Sequence, residues 1–166
     1  MQIRLEEIDE NCPEDQLFLY DILKYRWLKS ETINIEYKAP SSLPSFESHK
    51  QFLQKKPYKK FYKIFLCDIL IGSSYVDYNN VYGTFLLPTL IKKALKSNPR
   101  TTKKTSSLTT LIAHEVMKNN LDIVNFYAGI NSKNTLSENA AKELNGELVE
   151  VVYRIPNIFI DNEKSI

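Results

Sequence analysis

Tyr127-Ala-Gly-Ile-Asn131-Ser-Lys-Asn134-Thr-Leu-Ser137-Glu-Asn-Ala-Ala-Lys-Glu-Leu-Asn145-Gly146 passes from an apolar run through a polar junction into a short helical pattern. Upstream, Leu121 to Ile130 reads as a strand. Leu136 to Leu144 predicts a helix closed by Asn145-Gly146, the two residue types that most readily take the left-handed conformation after a last turn. Leu148 to Ile155 reads as a final strand. The junction sets Asn131, Asn134 and the cap hydroxyl of Ser137 where a strand ends and a helix begins, a place that receives polar ligands. On spacing alone, Asn134 and Ser137 are equally well read as turn and cap residues.

Working outward, Ser106 or Ser107 can cap a helix whose stripe is Leu108, Leu111, Ile112 and Val116. Before it, Thr89 to Lys104 reads as a long loop with a helical piece, broken at Ser97-Asn-Pro-Arg. Lys60 to Asp68 and Leu70 to Tyr78 are aromatic and β-branched runs joined by a tight turn, which predicts a hairpin. Asn79-Asn80 turns again, and Val81 to Leu87 continues the meander until Pro88 stops it. Nearer the start, Gln2 to Ile8 alternates as a strand, Asp15 offers an N-cap, and Leu17 to Leu28 recurs at helical spacing. Ser45 caps a second helix that Pro57 ends. The order is β-α-α-β-β-β-loop-α-β-α-β, without an internal repeat, and residues 1–166 read as one domain.

Composition limits the function. Twenty-two Lys and Arg face 20 Asp and Glu, a net charge of +2, which excludes a chain-wide electrostatic footprint for nucleic acid. Positive charge clusters once, from Lys92 to Lys104. That run has no interleaved aromatics on which bases could stack, so nucleic acid is not an expected partner. No apolar run approaches the roughly 18 residues that span a bilayer, and the N-terminus has no secretory h-region, so no membrane is expected and the cytoplasm is the expected compartment. Cys12 and Cys67 lack metal-ligand spacing; Cys67, inside an apolar run, reads as a small buried hydrophobe and no metal is expected.

The order of elements, an α/β (α+β) mixed and mostly antiparallel sheet flanked by helices, resembles the GCN5-related N-acetyltransferase (GNAT) superfamily. In that fold the fourth and fifth strands splay apart to admit coenzyme A. The Asn131 to Ser137 segment resembles the family's strand ending in Asn-x-x-Ser. Tyr20 to Trp27, Phe46 to Phe52, Ile71-Gly72-Ser and Val81-Tyr82-Gly83-Thr-Phe resemble the subgroup acetylating amino-sugar nucleotides. The resemblance implies acetyl-CoA as co-substrate, a small-molecule amine as acceptor and pairing of two copies through the last strand. It implies that Asn134 bonds the pantetheine arm or diphosphate beside Asn131 and Ser137. Strand backbone at Phe85, Leu86 and Leu87 then lies along the thioester. Tyr25, Arg26, Trp27 and Tyr37 fall where the fold builds its acceptor wall.

Two family features are missing. The Gly-rich diphosphate loop is absent; Arg100, Lys103, Lys104, Thr105, Ser106 and Ser107 are the groups left to hold phosphate, through charge and helix-terminal N–H groups. Read without the resemblance, the same run is a solvated loop. The family's strand carboxylate and helix tyrosine, which move the protons, are replaced by Val81 and Ala141. Candidate substitutes are Asp77, Tyr78 and Tyr82 near the strand turn, Tyr127 as thiolate acid, and His49, whose ordinary pKa suits a general base. His114 reads as a surface histidine. The sequence therefore predicts either an N-acetyltransferase or a catalytically degenerate module on the same fold.

Overall fold

The two hairpin runs pair as expected and seed the sheet. In the computed structural model, which describes residues 2–30, 42–97, 108–130 and 135–147, β1 (Ile3–Glu7), β2 (Lys60–Leu66), β3 (Ile69–Val76) and β4 (Tyr82–Leu86) form one antiparallel meander in that order. The β2–β3 turn is Cys67-Asp68, with φ of 48° and 63°. Two successive left-handed residues match the twist of the strands they join. Cys67 is thus a turn residue leaning on the core and not a strand interior, a correction to its reading as a buried strand hydrophobe. The register shifts between Ile64 and Phe65, which leaves Ile71 in a bulge and turns it into the core.

Pairing fixes two faces. Phe61 opposes Tyr75, and Ser73 opposes Phe85, so these four share one side; Tyr62, Ser74, Thr84 and Tyr82 take the other. On the second side Tyr62, Ile64, Val76 and Leu86 pack against α3 (Pro88–Ser97) and α4 (Leu108–Lys118) through Ala94, Ile112 and Val116. On the first side Phe61 packs with Ile8, Leu19 and Leu53, the last two from α1 (Pro13–Ser30) and α2 (Phe46–Gln54).

Local chemistry explains most boundaries. Ser45 caps α2 by accepting the Ser48 N–H at 3.1 Å. The first helix begins at Pro13, earlier than an Asp15 cap predicts, because proline's missing N–H costs nothing in a first turn. Asp15 instead accepts the Asp9 N–H at 3.0 Å and the Lys63 ammonium at 2.8 Å. Burial pulls the Lys63 pKa down, but its bonds to Asp15 and Glu6 outweigh that and hold it above the ordinary value.

Two expectations are corrected. Pro88 does not merely stop a strand: it opens α3, with Leu87 O accepting from Leu90 and Ile91, so the first part of the expected loop is a ten-residue helix. Ala94, Leu90, Ile91 and Leu95 bury its apolar face, and that burial outweighs the weak sequence signal. Leu121 to Ile130 is not a strand among the described residues. It makes one parallel bridge, Val81 with Tyr127, and Leu121 and Val124 are 87% and 91% exposed. A ladder needs a paired neighbour, and only Tyr127 finds one.

The helix α5 (Thr135–Glu143) ends as the sequence predicts. Asn145 is left-handed at φ 56°, its N–H reaches Lys142 O and the Gly146 N–H reaches Ala141 O, the paired bonds of a Schellman close. Leu148 to Ile155 lies outside the described residues.

Asn120 plugs the end of α4. Its amide donates to Val116 O at 2.7 Å and to the Tyr62 hydroxyl at 3.0 Å while fully buried. Asn120→Ala strands both acceptors away from water, so urea unfolding is expected to show a loss of about 1–3 kcal/mol.

Candidate functional site

Between α1, α2 and the first face of the sheet lies a cavity of about 400 Å³, a size suited to a small organic ligand. Leu19, Ile22, Leu23 and Leu53 supply aliphatic wall, and Phe52, Tyr58, Phe61 and Phe85 supply aromatic wall. The wall has a local cause. The left-handed Lys56 (φ 49°) and Pro57 after α2 turn Tyr58 back onto the sheet, where it stacks on Tyr75 at 4.4 Å and meets Phe61 edge-on at 4.8 Å. Tyr75 in turn lies across Gly83, where a Cβ would sit 2.3 Å from the ring.

Two polar atoms on this wall are buried without a partner. They are His49 Nε2 and Ser73 Oγ, on residues only 9% and 1% exposed. Ser74, the next residue, faces the opposite side and satisfies itself on Gly83 O at 3.0 Å, so the vacancy belongs to the cavity side. Burial pushes the His49 pKa below its ordinary value, which keeps the imidazole neutral near pH 7. With Nδ1 carrying the proton, Nε2 keeps an unused lone pair shut within the cavity wall. The Arg26 guanidinium lies 3.6 Å over the Phe85 ring, holding that ring against the cavity.

The second feature is the outer edge of β4. Leu87 N–H and Asp77 N–H bond across to Ile71 O and Val81 O, whereas Tyr82 N–H turns outward to Tyr127 O at 2.7 Å. Antiparallel alternation turns the N–H groups of Thr84 and Leu86 outward as well. Among the described residues, only Tyr127 bonds this edge, through Tyr82 and Asn80. Among the described residues β4 is thereby held at its start and unpaired along its second half. Phe85 joins the two features: its ring lines the cavity, and its neighbours' N–H groups point along the open edge.

Of the residues singled out from sequence, the structure brings His49, Arg26 and Phe85 together on the cavity wall. Tyr25 and Trp27 flank Arg26 on α1 but do not line it. Asp77 closes a turn, its Oδ1 accepting the Asn79 and Val81 N–H groups at 2.8 Å. Tyr82 faces the α3 and α4 side, hydrogen-bonded to the Thr84 hydroxyl, and burial raises its pKa despite bonds from Thr84 and Ser74. The Tyr127 ring is half exposed and away from the cavity. Tyr78 donates to Lys56 O, and His114 is exposed. The Leu86 side chain packs in the core, and the Leu87 N–H is taken by Ile71 O. Tyr37, Arg100, Lys103, Lys104, Thr105, Ser106, Ser107, Asn131 and Asn134 lie outside the described residues, as does the side chain of Ser137. Lys92, Lys93 and Lys96 stand exposed on α3.

Sequence reasoning missed Ser73, Phe52, Tyr58 and Phe61. A signal existed for the first: Ser73-Ser74 inside an apolar strand puts one hydroxyl on each face, and only one of them has a strand carbonyl to use.

No protein-family model matches the sequence, and no curated protein matches it. Solved structures do. A ribosomal L7/L12 alpha-N-protein acetyltransferase in complex with coenzyme A aligns with TM-score 0.51 at 19% identity, over 86% of this chain and 78% of the other. A predicted acetyltransferase from Clostridium acetobutylicum, solved with acetyl-CoA, gives 0.55 at 10% identity over 93% and 96%. AAC(6')-Iy in complex with the bisubstrate analogue CoA-S-monomethyl-acetylneamine gives 0.52 at 13% over 95% and 99%. The class follows: the chain has the GNAT acetyltransferase fold. Among the described residues no helix is long and apolar enough to cross a membrane.

Proposed function

We propose that this protein is an acetyl-CoA dependent N-acetyltransferase acting on a primary amine of a small molecule. The observation that carries the reading is the placement of Phe85 between a cavity lined by His49 and Arg26 and the second half of β4, which no described residue pairs. The edge fits an amide-bearing acyl carrier, because the outward N–H groups of Thr84 and Leu86 are strand donors that an extended arm can use. Solved neighbours carrying coenzyme A or acetyl-CoA on this fold support the assignment. The diphosphate falls to Arg100, Lys103, Lys104 and the hydroxyls of Thr105, Ser106 and Ser107, with Asn131, Asn134 and Ser137 at the pantetheine end.

The chemistry is direct transfer. Once the His49 ring turns to expose Nε2, it takes a proton from the acceptor ammonium, the freed amine nitrogen bonds to the thioester carbonyl carbon, and strand N–H groups stabilise the developing oxyanion. The C–S bond then breaks, and the thiolate leaves as free thiol after taking a proton. Net, one ammonium and one thioester give an amide, a thiol and one released proton. Tyr127, whose backbone bonds the start of β4 and whose ring is half exposed, supplies that proton.

Titration calorimetry with acetyl-CoA is expected to show binding, and an amine panel to release free thiol. No binding at millimolar ligand overturns the reading. One observation favours a second reading, a module that binds without turnover: Val81 and Ala141 stand where the family's proton-moving groups do. Amine-dependent thiol release eliminates it.

A further inference from the structure

One peptide of β4 is held from behind by a side chain. The Ser74 hydroxyl donates to Gly83 O at 3.0 Å. Strand alternation gives the same carbonyl a second donor, the Tyr75 N–H, because the Tyr75 and Gly83 pair is in phase with the bonds from Asp77 N–H to Val81 O and from Leu87 N–H to Ile71 O. That carbonyl and the Thr84 N–H belong to one planar trans peptide. Fixing the oxygen toward β3 therefore aims the N–H the opposite way, along the side of β4 that no described residue pairs beyond Tyr82. Bonds accepted by an amide oxygen also draw electron density from its nitrogen and strengthen the N–H as a donor, by about 10–30% per bond.

The next outward N–H lacks this support. Ser74 stands opposite Thr84, whereas Gly72, with no side chain, stands opposite Leu86. Thr84 is also tied through its own hydroxyl, which donates to the Tyr82 hydroxyl. We propose that Ser74 is a positioning residue for acyl transfer: acting through the Gly83-Thr84 peptide, it aims and strengthens the Thr84 N–H as the donor that meets the thioester oxygen, and leaves the Leu86 N–H to the arm. The inference rests on the acetyltransferase reading and names which of its strand donors polarises the thioester. Ser74 itself touches no ligand, since it is fully buried on the α3 and α4 side.

The full chain is titrated with coenzyme A and with acetyl-CoA carrying carbon-13 at its carbonyl, and the infrared stretch of the bound thioester is compared with that of the free one. Wild-type protein is expected to lower the stretch. Ser74→Ala leaves Gly83 O its Tyr75 donor and strands nothing. It should move the stretch at least halfway back to the free value while coenzyme A, which has no acetyl oxygen, keeps its wild-type affinity. Ser74→Cys retains the size with a weaker donor and should move the stretch the same way. In wild-type protein the Thr84 amide proton is expected to move downfield with acetyl-CoA and not with coenzyme A, a reading that needs no variant to fold. A bound stretch equal to the free one, a stretch unchanged in both variants, or a shift at Leu86 in place of Thr84 overturns the inference. So does a coenzyme A affinity that falls together with the stretch, which marks a residue that only holds the strand in place. Wild-type protein that binds no acetyl-CoA removes the acetyltransferase reading and this inference with it; the other outcomes remove this inference alone.

Discussion

Replacing His49 by alanine is expected to lower kcat/KM for acetyl transfer by about 10²–10⁴-fold, the range for losing a positioned general base, with acetyl-CoA affinity unchanged. The cause lies in the wall that holds it. α2 is fixed at its start by the Ser45 cap, and the imidazole is packed against Tyr20 at 5.7 Å and Phe52 at 6.3 Å. Desolvation lowers its pKa, so the wild-type profile of kcat/KM should rise to its plateau at a pH below the ordinary histidine value of about 6.5. His49→Ala loses that limb.

Stability carries the same signature with a definite sign. Above about pH 6.5 histidine is neutral both folded and unfolded. As pH falls through that value the unfolded chain takes up the proton while the folded chain resists, so stability drops until the lowered folded pKa is passed. His49→Leu should flatten this limb in urea titrations at stepped pH. Unchanged turnover and an unchanged profile in His49→Ala would move the base to Tyr82 or another hydroxyl and leave His49 a packing residue.

Gly72→Ala is expected to be the most damaging small change in the sheet. A Cβ there would lie 1.9 Å from Phe85 O and 2.9 Å from Phe85 C, both backbone atoms with no rotamer to yield. Relief requires β4 to move off β3 at the bulge, against the bond from Leu87 N–H to Ile71 O. We expect a loss on the order of 3 kcal/mol in urea unfolding, together with loss of amine binding because Phe85 moves with the strand. A loss under about 0.5 kcal/mol, the size of an ordinary surface change, would show that the two strands have slack where the close approach says they have none. Gly83→Ala makes a useful contrast. Its Cβ meets the Tyr75 ring, 2.3 Å away, and a ring can tilt where a carbonyl cannot.

The hairpin was legible from two apolar runs around a tight turn near Asp68, but the left-handed Cys67 in that turn was not, since its apolar neighbours read it as strand. The α4 stripe and the Asn145-Gly146 close were legible, since local chemistry and burial ask for one answer. The helix α3 was not. Its residues gain from burial under the sheet more than from propensity, and no local window shows the sheet. Leu121 to Ile130 differs in the other direction, since an apolar run is a strand only where a neighbour supplies ladder partners, and among the described residues Tyr127 alone has them.

For the site, His49, Arg26 and Phe85 could be named from sequence, but their meeting could not. They sit on α2, α1 and β4, and only the packing of both helices over one face of the meander closes a cavity around them. Asp77 shows the opposite case, a carboxylate of the right type whose oxygen is committed to its own turn.

The segment from Tyr127 to Gly146 determined by itself a helix closed by Asn145-Gly146, because cap and periodicity are local properties of the chain, while the GNAT fold came from a resemblance that the solved structures support. The cavity, the unpartnered nitrogen and hydroxyl buried in its wall, and the half of β4 that no described residue pairs were decided by tertiary structure. Whether a buried polar atom finds a partner depends on residues far away in sequence, and that is settled only when the faces come together.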